Sequence, residues 1–183
     1  MKQGRKPAER PQLPEPRPRF TRQCKQVHTI LAPQMAPLHF SLITAALKKY
    51  GYRMLIPELP KREAIDLGLR YVNNDMCYPA IVVIGQLLAA VSSGKCDPDH
   101  TSIMLFQTCG ACRATNYLSL MRKALKDAGY PQIPVFACWG LEQDEFSLGT
   151  AGFVDVIKGT IYADLLMRVV NRIKPYEQQL GTA

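Results

Sequence analysis

An α/β fold, built on a mainly parallel sheet with helices on both faces, is what this sequence predicts, and three observations carry the prediction. Short runs rich in β-branched and apolar residues alternate with stretches of helical period, the pattern of parallel strands joined by crossover helices. Helix start and stop signals fall between those runs: Pro37 and Pro79 near starts, Gly51, Gly94 and Gly129 near ends. A length of 183 residues with 47% hydrophobic content is enough for one domain with a sizeable core. The layout is Rossmann-like or flavodoxin-like, with right-handed crossovers.

Residues 27–33 (VHTILAP) read as the first strand. The helix after Pro37 places Leu38, Leu42, Ile43, Ala46, Leu47 and Tyr50 on one side, carries Lys48 and Lys49 where they complement the helix dipole, and stops at Gly51. Residues 53–59 (RMLIPEL) read as the second strand, and 62–72 (REAIDLGLRYV) as a short helix before NNDMCYP. The next helix takes Asn74 or Asp75 as N-cap, has Pro79 in its first turn, and runs through AIVVIGQLLAAVSS to Gly94. Its β-branched residues suit a strand, but its length and both end signals select a buried helix. Residues 102–108 (SIMLFQT) form the third strand. A helix with Leu118, Met121 and Leu125 on one side follows, and residues 133–139 (IPVFACW) form the fourth strand. After a long loop, GLEQDEFSLGTAG, the final helix carries Ile157, Ile161, Leu165, Val169 and Ile173 at helical spacing and ends before Pro175.

The net charge of +8 is unevenly distributed. Residues 1–26 hold eight Lys or Arg against Glu9 and Glu15, whereas the remainder holds 15 basic and 13 acidic residues. Pro7, Pro11, Pro14, Pro16 and Pro18 interrupt the same basic segment, a composition that favours an extended, solvated leader. No stacking aromatics alternate with its charges, so it reads as a linker and no nucleic-acid partner is expected. The expected organisation is therefore a leader at 1–26, an α/β domain at 27–175 and a tail at 176–183. The longest apolar run, residues 80–91, is broken by Gly85 and Gln86 and falls short of the roughly 20 residues that span a bilayer. With no membrane partner and no targeting pattern, the chain reads as cytoplasmic.

Six cysteines stand at 24, 77, 96, 109, 112 and 138, too unevenly spaced for a small disulfide scaffold. In open α/β sheets, sites form beyond the carboxyl ends of the strands. Cys77 lies just before a predicted helix, Cys109 and Cys112 in a strand-to-helix turn, and Cys138 at a strand end; Cys24 and Cys96 have weaker claims. Three chemistries suit CGAC and stay open on spacing alone. They are a thiol–disulfide pair, a zinc site drawing on Cys77, Cys109, Cys112 and Cys138, and an iron–sulfur cluster held by scattered thiolates. Neither a GxxxxGK[ST] phosphate loop nor a GxGxxG turn is present. His28, His39 and His100 read as structural or surface residues, and Glu142, Asp144 and Glu145 as a solvated acidic loop.

Residues 31–40 (LAPQMAPLHF), 68–95 (GLRYVNNDMCYPAIVVIGQLLAAVSSGK), 110–135 (GACRATNYLSLMRKALKDAGYPQIPV) and 162–177 (YADLLMRVVNRIKPYE) together resemble the 2-hydroxyacyl-CoA dehydratase superfamily. The likeness is strongest to the large activase-related proteins that join ATPase-type activator modules to a dehydratase-like iron–sulfur region, and it runs from about Phe20 to Glu177. It implies a [4Fe-4S] or related cluster and an electron-transfer role served by an ATP-hydrolysing activator. Cys77 of NNDMCYP and Cys112 of CRATNY are the implied ligands, with Cys109 or Cys138 as third thiolate and Asn74 and Asn116 placed to tune the sulfurs. Cys109 stands where these proteins usually have glycine. The ATPase modules and an upstream CFP-type segment are absent from the sequence, so the resemblance implies work alongside an activator and another dehydratase-like subunit or domain. A thiol–disulfide oxidoreductase using Cys109 and Cys112, or a non-catalytic subunit, are the alternatives.

Overall fold

The computed structural model describes residues 17–108, 110, 112–138, 145–179 and 181. Four parallel strands, β1 (Thr29–Leu31), β2 (Arg53–Leu55), β3 (Thr101–Leu105) and β4 (Val135–Ala137), lie in the order β2-β1-β3-β4. Ile30 pairs with Met54 on one side and Ser102 on the other, and Met104 pairs with Phe136. Among the described residues the helices are α1 (Arg22–Val27), α2 (Pro37–Lys49), α3 (Arg62–Tyr71), α4 (Tyr78–Ser92), α5 (Tyr117–Asp127) and α6 (Gly149–Ile173). The α/β fold expected from the sequence is the fold observed.

Successive strand residues point to opposite faces, so a sheet covered on both sides buries residues at successive positions. All five residues of β3 are buried. Ile30, Met104 and Phe136 join the core on the α2 side, with Phe40 and Leu47. Leu31, Ile103, Leu105 and Val135 join the opposite core, with Ile84, Leu88, Met121 and Leu125 of α4 and α5. The strands are shorter than their apolar runs suggest. The second ends at Leu55 because Pro57, lacking an N–H, cannot continue a ladder.

The chain leaves β1 toward β2 and leaves β3 toward β4, in opposite directions. The gap between the carboxyl ends of β1 and β3 is thus a topological switch point, where folds of this kind bind ligands. Gln86 braces it: buried in α4, it accepts from the Gln34 N–H at 2.9 Å and donates to the Glu58 carbonyl at 2.7 Å, joining the loops after β1 and β2.

Three expectations are corrected. Residues 17–26 belong to the domain and not to an extended leader: Phe20 is buried against Phe136 with ring centroids 4.4 Å apart, and α1 follows, capped by Thr21. The N-cap of α4 is Cys77, not Asn74 or Asp75, while the Asn73 side chain accepts from the Asp75 N–H to close the preceding turn. In α6 the residues at 157, 161, 165, 169 and 173 are exposed, and Gly152, Val156 and Ala163 face the core. A recurrence of four drifts by about 40° per step around a helix of 3.6 residues per turn, so those five side chains spiral away from a single face. The small residues on the inner side let α6 approach α2, where a Cβ on Gly159 would touch Leu42. The two helices are also tied by Asp155, which accepts from Lys49 at 2.7 Å and Tyr50 at 2.8 Å, and by Asp164, 2.8 Å from His39.

Candidate functional site

α4 ends near the amino edge of the sheet, because a short connection takes it into the start of β3. Its beginning therefore lies at the carboxyl edge. The loop after β3 reaches the same edge, passes through Gly110 and enters a 3-10 turn at Arg113–Asn116 that leads into α5. Gly110 has a φ of +88°, a left-handed conformation that side chains resist.

Cys77 and Cys112 occupy equivalent places, each capping the helical turn that follows it. The two turns are connected by side chains. The Tyr117 hydroxyl stands 3.4 Å from Cys77 Sγ, and the Arg113 guanidinium donates to the Asp75 carbonyl. Thr115 completes the frame, its hydroxyl 2.7 Å from the Thr108 carbonyl and 2.9 Å from that of Cys112, while Gln107 donates to the Thr115 carbonyl at 2.9 Å.

The electrostatics favour a thiolate at Cys77. Its pKa is lowered, first by the Tyr117 hydrogen bond, then by the Ala80 N–H in the first turn of α4, with the Arg113 charge adding to both. The Tyr117 phenol is correspondingly pushed up, by burial first and then by its bond to Cys77 and the charge of Cys112. It stays protonated and available as a donor. Cys112 is exposed at the mouth of the same loop.

The other sequence-predicted residues divide. Asn74 and Asn116 sit in the two turns and are exposed, and the hydrogen bond described at Cys77 Sγ comes from Tyr117. Cys138 packs with the core on the α2 side, near Tyr52, where burial pushes its thiol up to about 12. It is not brought together with Cys77. Cys109, Glu142 and Asp144 lie outside the described residues. Among the described residues no group of three or more His, Cys, Asp or Glu converges as a metal site. Cys24 and Cys96 lie elsewhere, bonded to local carbonyls. His28 and His100 stand at the amino edge, bonded to Ser102 at 2.8 Å and Asp97 at 2.6 Å. Glu145 accepts from the Arg22 N–H at 2.7 Å. A cleft of about 670 Å³ lined by Thr29, Arg53, Lys95 and His100 also opens at that amino edge, opposite the cysteines.

Tyr117 and Arg113 are the site residues that residue-type reasoning passed over. Both lie within CRATNY, whose signal was read through its cysteine. No helix of the described residues is long and apolar enough to cross a membrane. No family model, curated protein or solved structure matches the chain.

Two soft thiol donors, one biased toward its ionised form, fit the donor chemistry of an iron–sulfur cluster. Cys109 is the nearest in sequence to Cys112 of the remaining thiols.

Proposed function

We propose that this chain is an iron–sulfur electron-transfer module of the 2-hydroxyacyl-CoA dehydratase and activase-related type. It works with an ATP-hydrolysing activator and another dehydratase-like subunit or domain. The observation that supports this reading most is the placement of Cys77 and Cys112 on facing turns at the carboxyl edge, tied together through Tyr117 and the Arg113 clasp. Cys77 and Cys112 hold iron as thiolates, and a further ligand comes from Cys109 or the partner subunit. When bound, a cluster supplies one-electron storage at low potential. The chain's own part is to ease ionisation of the Cys77 thiol and to hold the two turns in register, so that metal binding needs little reordering of the backbone.

Anaerobic reconstitution with ferrous iron and sulfide, followed by iron and sulfide assay and EPR of the reduced protein, tests the reading. The expected result is a cluster in the native chain and its loss in the double variant Cys77→Ser, Cys112→Ser. A cluster retained by that variant overturns the ligand assignment. A native chain that binds no iron but cycles a Cys109–Cys112 disulfide in glutathione buffers overturns the electron-transfer reading in favour of a thiol oxidoreductase.

A further inference from the structure

Tyr117 connects two parts of the site that the chain separates by 40 residues. It is the first residue of α5, one turn beyond Cys112, yet its hydroxyl reaches the sulfur at the start of α4. The ring packs against the core shared by α4 and α5, so its direction is set by the fold and does not depend on solvent. A second tie, Arg113 to the Asp75 carbonyl, fixes the Cys77 turn from the same side. Together these hold the phenol oxygen and Sγ 3.4 Å apart, within the longer range of hydrogen bonds to sulfur.

Resting on the iron–sulfur reading above, we propose that Tyr117 is a positioning residue of the cluster, whose O–H donates to the Cys77 sulfur and sets the reduction potential. A phenol is a donor at neutral pH, and a thiolate bound to iron still presents lone pairs that accept. Reduction adds one electron and therefore negative charge to the cluster and its sulfurs. A donor aimed at one of those sulfurs stabilises the reduced form more than the oxidised form, which raises the potential. The effect is electrostatic and local. It needs the hydroxyl and leaves the ring's packing role unchanged.

Tyr117→Phe separates the two, since it removes one oxygen and keeps the ring that packs on the core. In the full chain reconstituted anaerobically, the variant is expected to take up as much iron and sulfide as the native protein. Its EPR-monitored redox titration is expected to shift to lower potential. One exchangeable proton coupling, seen in the native cluster by ENDOR after exchange between H2O and D2O, is expected to disappear from the variant, while that of the Ala80 N–H remains. An unchanged potential with an unchanged proton coupling overturns the role of Tyr117 while leaving the cluster intact. A native chain that takes up no iron overturns the underlying reading, and the inference with it. If Tyr117→Phe lowers iron uptake, the ENDOR comparison on the fraction that does load decides: exchangeable couplings identical to those of the native cluster overturn the proposal.

Discussion

At the scale of single residues, the cysteines differ by environment more than by position in the sequence. Cys77 is hydrogen-bonded by a phenol and biased toward the thiolate, whereas Cys138 packs, partly buried, against the core and is held protonated up to about 12. The second fact predicts an alkaline weakness. An unfolded cysteine ionises near pH ~8.5, so above that pH the unfolded chain sheds a proton that folded Cys138 retains. Its contribution is thus intact below about pH 8.5 and is lost progressively as pH rises toward 12. Urea titrations of the native chain and Cys138→Ala at a series of pH values should diverge in that window, with the flatter slope in the variant. Strand-end placement of Cys77, Cys112 and Cys138 was legible from the sequence. The separation of Cys138 from the others was not, because consecutive strand residues face opposite layers and the apolar run around it contains no polar marker of which side Cys138 joins.

At the scale of elements, the contact between α3 and α4 is governed by the absence of side chains. A Cβ on Gly85 would stand 1.8 Å from the Ala64 carbonyl oxygen, and one on Gly68 would stand 2.1 Å from that of Ile81. Both neighbours are backbone, which cannot rotate out of the way. Gly85→Ala should therefore destabilise the fold by at least about 1–3 kcal/mol, although alanine is the better helix former by up to about 1 kcal/mol. Chemical denaturation of the variant measures the sign directly: a gain in stability would show that the helices separate freely. In the sequence, Gly85 and Gln86 look like interruptions of an apolar run; in the fold one admits the partner helix and the other braces two loops. The existence and order of the helices were readable because periodicity and end signals are local. The facing of α6 was not, since an apolar recurrence marks a face without saying whether it turns to the core, and Ile157, the first of the five, is already exposed.

At the scale of the whole molecule, the sheet order places one core on each side and gathers the described site at one edge. The N-terminal segment closes the core on the α2 side. Phe20 is 1% exposed, lies 4.4 Å from Phe136 and 6.2 Å from Phe146 between ring centroids, and its carbonyl accepts from the Glu145 N–H at 2.9 Å. Phe20→Ala should cost about 3–5 kcal/mol, measured as a fall in the urea midpoint with little change in slope. An unaffected midpoint would place residues 17–26 outside the cooperative unit. Alternating strands and helices made the parallel fold legible over most of the chain, whereas proline and arginine around Phe20 concealed a core residue within a basic, solvated composition. This arrangement also bears on how the chain can fold while it is being made. The two rings that shelter Phe20 are translated more than a hundred residues after it. A nascent chain halted before Phe136 keeps that aromatic pocket unsealed, however complete its earlier helices. Synthesis must pass the fourth strand before the first anchor can be set.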